Sequence, residues 1–226
     1  MKKSIFFIAM IVLGFSSCSY DNYEAPNVIM KGQVTYNGKS VNVRNNEVTF
    51  RLYEPGWTLS SSTYMTVQVA EDGTFQASVY KGKTYKLIRQ PNIGPWVNPS
   101  TSDTITVSNY DGAPIEMPIQ PYYLLENESF SCSNKIVKGS CTVKQITEGK
   151  NIEKMGLYIS RNYIVDNVYS GLGYEEISSV HPDDTVQLNV DLSKLAVNST
   201  SNSLPSTGII YARLGLKVLG IDAMIY

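Results

Sequence analysis

The chain has 226 residues, with 19 basic and 20 acidic side chains giving a net charge of −1 and no clustered run of Lys and Arg, which argues against a nucleic-acid binder. Charged residues make up only 17%, and 16 tyrosines stand against 6 phenylalanines, a composition that suits half-buried strands and surface contacts with carbohydrate or protein. The single histidine, His181, means that any histidine-dependent triad or multi-histidine metal site would have to be built from that residue alone.

Residues 1–17 have the three parts of an export signal: Lys2 and Lys3, an apolar stretch from Ile5 to Phe15, then Ser16 and Ser17. Cys18 follows directly, the pattern of a bacterial lipoprotein signal in which the cysteine thiol is lipidated after cleavage. An ordinary secretory signal with an incidental cysteine is the alternative, but such cleavage sites want A-x-A-like small residues. The apolar stretch is too short to span a bilayer, which takes about 20 apolar residues. Residues 18–27 are polar and lack hydrophobic periodicity, so they read as a tether between the lipid and the first folded domain.

From residue 28 to 121, β-branched and aromatic runs separated by turn residues predict an all-β sandwich. Ile29–Tyr36 ends at Asn37-Gly38, a two-residue hairpin signal. Val48–Tyr53 alternates and stops at Pro55-Gly56. Tyr64–Ala70 and Thr74–Tyr80 read as a second hairpin, and Lys81-Gly82-Lys83 turns the chain into Thr84–Arg89. Gly82-Lys83-Thr84 is not a phosphate loop, because Ala77 stands where that motif needs its first glycine and no helix follows. Residues 90–102 hold Pro91, Gly94, Pro95, Trp96 and Pro99, which oppose ladder pairing and predict an exposed loop. Thr104–Val107 and Ile115–Ile119 complete the set, and Gln120-Pro121-Tyr122 reads as a domain boundary.

Residues 122–226 repeat the style with Ile136–Ile146, Met155–Arg161, Thr185–Leu192, Ile209–Lys217 and Ala223–Tyr226 as strands. Residues 162–184 form a long loop, and Asp191–Leu195 makes one helical turn. The fold class is therefore all-β, two tandem β-sandwich domains. Cys132 and Cys141 are an even pair in an exported protein, placed either side of a short connection at Lys138-Gly139 and expected to form a disulfide. Two reduced, buried thiols are the alternative.

Asp21-Asn22-Tyr23-Glu24-Ala25-Pro26, Gly32-Gln33-Val34-Thr35-Tyr36, Asp72-Gly73-Thr74-Phe75 and Tyr211-Ala212-Arg213-Leu214-Gly215 resemble a family of two-domain Bacteroidetes lipoproteins of unknown function encoded in polysaccharide utilisation loci. The resemblance covers nearly the whole mature chain. It implies a carboxypeptidase-regulatory-like (prealbumin-like) sandwich followed by an immunoglobulin-like one, working beside an outer-membrane importer and its glycan-binding lipoprotein. Asp21 and Glu24 also resemble the acidic signal that sends such lipoproteins to the outer face of the outer membrane, with a periplasm-facing anchor as the alternative. The family has no catalytic residues to carry over.

Among candidate chemistries, His181-Pro182-Asp183-Asp184 offers too few oxygens for calcium and no second histidine, so an ordinary turn is favoured over a metal site. No cofactor is expected. Catalytic carboxylate pairs need a cleft that small sandwiches seldom provide, so a non-enzymatic role is expected. Aromatic contact with sugar rings is the stronger reading. Trp57 and Trp96 follow Pro-Gly and Gly-Pro turns, and Tyr163, Tyr169 and Tyr174 cluster in the long loop of the second domain. The alternative is that each tryptophan folds back to cap the first sandwich. The chain reads as a lipid-anchored outer-membrane accessory that binds polysaccharide or oligosaccharide, or as a docking subunit that binds none.

Overall fold

The structure is a computed structural model that describes residues 24–56, 63–100, 103–195 and 204–226. Cys18 and Trp57 lie outside the described residues.

Among the described residues, eight strands build the first sandwich: β1 (Val28–Tyr36), β2 (Lys39–Ser40), β3 (Thr49–Tyr53), β4 (Met65–Gln68), β5 (Thr74–Val79), β6 (Thr84–Arg89), β7 (Ile105–Ser108) and β8 (Ile115–Pro118). One sheet centres on β1, which pairs antiparallel with β2 and β5 and parallel with β8. The facing sheet runs β4-β3-β6-β7, antiparallel throughout. Period-two alternation decides which residues enter the space between them: Met30, Gly32 and Val34 from β1, Phe50 and Leu52 from β3, Tyr85 and Leu87 from β6. Phe50 and Phe75 meet edge to face at 5.3 Å and tie one sheet to the other. Gly32 is required opposite Phe75, because a Cβ there would fall 2.2 Å from the ring.

The expected Tyr64–Ala70 and Thr74–Tyr80 hairpin is a corner instead. β4 and β5 belong to different sheets, joined by one bridge, Val69 to Phe75, and by Ala70 N–H donating to Thr74 O at 2.8 Å. Asp72 caps the turn by accepting from Thr74 N at 2.9 Å and Thr74 Oγ1 at 2.6 Å, so the chain bends too sharply for the pairing to propagate.

The second sandwich contains β9 (Tyr123–Ser133), β10 (Ile136–Gln145), β11 (Ile152–Ser160), β12 (Gly173–Ile177), β13 (Thr185–Asp191), β14 (Tyr211–Val218) and β15 (Met224–Ile225). Its sheets are β13-β10-β9 and β12-β11-β14-β15. Asp191 caps the expected single turn, a 3₁₀ element at Leu192–Lys194, by accepting from Ser193 N at 2.8 Å.

The two sandwiches share one contiguous apolar cluster. The segment after β2 lies along the end of the second sandwich: Val43 bridges Ile225, and Tyr226 N–H donates to Asn42 O at 3.1 Å. Across this junction Arg213 Nη2 donates to Glu71 O at 2.6 Å, and its guanidinium stacks 4.2 Å above the Tyr226 ring. No helix among the described residues is long and apolar enough to cross a membrane.

The Cys132–Cys141 disulfide does not form, and both thiols are free. The β9–β10 turn is Asn134-Lys135, both at positive φ, so Lys138-Gly139 lies inside β10 rather than in a connection. Cys132 pairs with Val137, four residues along β10 from Cys141. At about 3.3 Å per residue that offset is about 13 Å, well beyond the ~7 Å limit for a bridge. Cys132 is exposed, whereas burial pushes the Cys141 thiol up to about 12. We expect iodoacetamide at pH 8 without reductant to label Cys132 rapidly and Cys141 only after unfolding, as read by peptide mass mapping; a mapped cross-linked peptide would contradict this geometry.

Candidate functional site

The connection from β11 to β12 carries the most exposed aromatic surface of the second sandwich, and its shape follows from three inward residues. Val165 packs with Tyr158, Met224 and Tyr226 in a small apolar cluster. Asp166 is fully buried and accepts backbone N–H groups from Val168 and Tyr169, each at 2.8 Å, the local bond by which Asp closes a turn. Asn167 donates its backbone N–H to the Tyr226 hydroxyl at 3.2 Å, and that hydroxyl donates to Asn167 Oδ1 at 3.0 Å.

With residues 165–167 drawn inward, their neighbours on both sides face solvent. Tyr163 is 66% exposed and Tyr169 58%, with Ile164 and Val168 between them also exposed. Tyr163 is braced edge to face against Tyr211 at 5.8 Å. Tyr163, Ile164 and Tyr169 join Asn45 and Asn162 around a shallow depression of about 490 Å³. Two phenol rings, an aliphatic floor and two uncharged amides make an aromatic shelf. Sugar rings need such a surface: apolar faces stack on the rings while hydroxyls bond to nearby polar groups.

Charge beneath the shelf ties it to the first domain. Arg44 Nε lies 3.5 Å from Asp166 Oδ2, and Arg44 Nη1 donates to Glu47 Oε1 at 3.2 Å. Burial pushes the Glu47 carboxyl upward against the opposing pull of Arg44. On the far side of the cluster, Tyr158 donates to Glu176 Oε1 at 2.8 Å, and Lys154 Nζ bonds both Glu176 oxygens at 2.9 and 2.8 Å. Burial and the Glu176 carboxylate together raise the Tyr158 phenol well above its ordinary range, so it stays a proton donor.

The remaining sequence candidates sit elsewhere. Trp96 is 2% exposed and caps the first sandwich, the alternative that its sequence left open, so it is no sugar platform. Its ring lies against Gly94, where a Cβ would fall 2.3 Å from the indole. Val97 N–H donates to Gln120 O at 2.9 Å and Tyr122 N–H to Pro95 O at 3.3 Å, folding the expected exposed loop inward. Tyr174 is 62% exposed on β12 and packs toward Tyr158 at 6.5 Å, but it does not line the shelf. His181-Pro182-Asp183-Asp184 is a turn in which Asp184 accepts from His181 N at 2.7 Å and Asp183 pairs with Lys144 at 2.8 Å.

The N-terminal domain model of DUF3823, a family of unknown function, matches residues 28–120, and the model of its C-terminal domain matches residues 123–226. The chain belongs to the DUF3823 family. This DUF3823 chain is 28% identical to a DUF3823 family protein from Parabacteroides merdae, with a TM-score of 0.76 over 90% of this chain and 96% of that one. A DUF3823 family protein from Bacteroides ovatus is 24% identical, with a TM-score of 0.74 over 88% and 95%. A candidate carbohydrate-binding protein from Bacteroides uniformis shares the fold at 13% identity and a TM-score of 0.64, over 89% and 96%. No curated protein matches the chain. The resemblance read from the sequence, to a two-domain Bacteroidetes family of unknown function, therefore holds.

Sequence reasoning missed the two asparagines and the isoleucine of the shelf, and also its support. Asn45 comes from the other domain, so no spacing in the sequence relates it to Tyr163. Asp166-Asn167 carried a usable signal: an Asp-Asn step between apolar residues in a loop marks a side chain that closes a turn on its own backbone.

Proposed function

We propose that this protein is a lipid-anchored outer-membrane accessory of a polysaccharide uptake system that captures glycan on the shelf formed by Tyr163 and Tyr169, without catalysis. One observation carries the reading: two exposed phenols flanked by uncharged amides, on a loop fixed from below by Asp166 and Tyr226. A fixed platform loses little conformational entropy when a ring stacks on it. The fold shared with the candidate carbohydrate-binding protein from Bacteroides uniformis points the same way. The signal ending at Cys18 supports the anchor, and the acidic Asp21 and Glu24 support an outward face beside an importer and its glycan-binding lipoprotein.

The test is a polysaccharide panel run by affinity electrophoresis on the wild type, Tyr163→Ala and Tyr169→Ala. Each substitution removes an exposed ring that holds no core position, so we expect folding to be unchanged and affinity for the retained glycan to fall roughly tenfold, about 1.4 kcal/mol. Unchanged retention in both variants would refute the shelf.

A second reading, a docking subunit that binds no sugar, is favoured by β9. It is the edge of its sheet, and its residues 126–133 are exposed without interruption, a geometry that accepts a strand from a partner. Co-purification with an importer by a chain that retains no glycan would favour it.

A further inference from the structure

A second depression, larger than the shelf, opens on the flank of the first sandwich, where the outer edges of β4 and β5 diverge. It measures about 740 Å³, within the range of small-molecule sites. Its lining is rich in carboxamides, Gln33, Asn46, Gln68 and Gln76, above the buried ring of Phe75. Among the described residues, Lys31 is the only charged one in that lining. Gln33 is partly committed, since its Nε2 donates to Ser40 Oγ at 2.7 Å. The side-chain amides of Asn46, Gln68 and Gln76 make no hydrogen bond among the described residues, which leaves donors and acceptors in equal number facing the space.

The shelf and this groove meet at consecutive residues. Asn45 lines the shelf and Asn46 lines the groove. Asn46 holds a left-handed φ of 59°, a conformation Asn tolerates, so the backbone turns between the two. The segment is pinned on both sides: Asn46 N–H donates to Val69 O at 2.9 Å, and Arg44 is held by Glu47 and Asp166. The two depressions therefore keep a fixed relation.

We infer that the shelf and the groove are the two ends of one binding path for an uncharged, extended oligosaccharide, with rings stacked on Tyr163 and Tyr169 and further units bonded by Asn46, Gln68 and Gln76. The inference rests on the shelf reading for its first half. A ligand of this class suits the lining, since neutral amides satisfy hydroxyls in both directions and a carboxylated or sulfated chain would find one lysine and no other cation.

Isothermal titration with the cello-, xylo-, manno- and malto-oligosaccharides of two and six units decides it, using the wild type, Gln68→Ala/Gln76→Ala and Tyr169→Ala. Both glutamines are exposed, so their loss leaves the fold intact. In the series that binds, we expect the hexasaccharide to bind roughly tenfold more tightly than the disaccharide. The double glutamine variant should erase that gain and leave the disaccharide unchanged, while Tyr169→Ala weakens both lengths. Equal affinity for the two lengths, or a gain that survives the glutamine substitutions, overturns the path and leaves the shelf standing. Binding by none of the four series overturns both.

Discussion

Trp96→Ala should lower the stability of the protein by about 3–5 kcal/mol, the usual cost of emptying a buried indole site, and leave glycan affinity unchanged below the unfolding transition. The ring is 2% exposed and packs on a glycine that admits no Cβ, so the surrounding backbone has little room to collapse into the space. For a chain of this size the loss corresponds to a drop of about 10 °C in midpoint. The indole Nε1 has no hydrogen-bond partner among the described residues. Trp96→Phe should therefore recover most of the loss, because it removes a buried donor that makes no bond while keeping much of the apolar volume. Calorimetry of the three forms, together with glycan retention, separates a core cap from a ligand contact. A midpoint within 2 °C of wild type, combined with weakened retention, would place Trp96 in a binding site instead.

The same tryptophan shows where sequence reading stops. Proline and glycine around Trp96 correctly exclude a strand, but they say nothing of which way a loop folds, and here Pro95 O and Gln120 O draw it onto the core. Strands with one buried face were legible because their apolar residues alternate: Thr84–Arg89 matches β6 residue for residue. β9 was not legible, since beyond Leu125 both of its faces meet solvent and its residues carry no alternation. Its pairing also breaks at a bulge, where Asn127 takes a φ of 57° opposite Cys141. β12 was hidden in the long loop for a different reason: Glu175 and Glu176 read as loop, yet Glu176 is held in the sheet by Lys154 and Tyr158 on the neighbouring strand. Of the shelf, Tyr163 and Tyr169 were visible as exposed-type aromatics in a loop. Asn45 was not, because the domain junction that brings it there is set by packing between Val43 and Ile225, far apart in sequence.

Asp166→Ala should have the second large effect, and it tests whether the shelf depends on a residue with no exposed surface. Asp166 supports three partners at once: the backbone N–H groups of Val168 and Tyr169, and the guanidinium of Arg44 from the first domain. Its removal leaves two inward-facing donors unpaired and leaves Arg44 with Glu47 alone. Breaking a buried ion pair from one side costs about 3–5 kcal/mol when the orphaned charge stays buried; Arg44 keeps one carboxylate and some solvent, which places the expected loss near the lower end, about 3 kcal/mol. Asp166→Asn keeps an oxygen for both N–H groups and loses only the charge, so it should cost less, about 1 kcal/mol. The two variants divide the contributions. If the backbone bonds fix the shelf, Asp166→Ala accelerates amide exchange across residues 163–170 and weakens glycan binding, while Asp166→Asn does neither. If the ion pair across the junction fixes it, both variants do both, and Arg44→Gln reproduces the result from the other domain. Unchanged exchange in all three would mean that Val165 and the Tyr226–Asn167 bonds hold the loop without help, and that the buried charge serves domain docking alone.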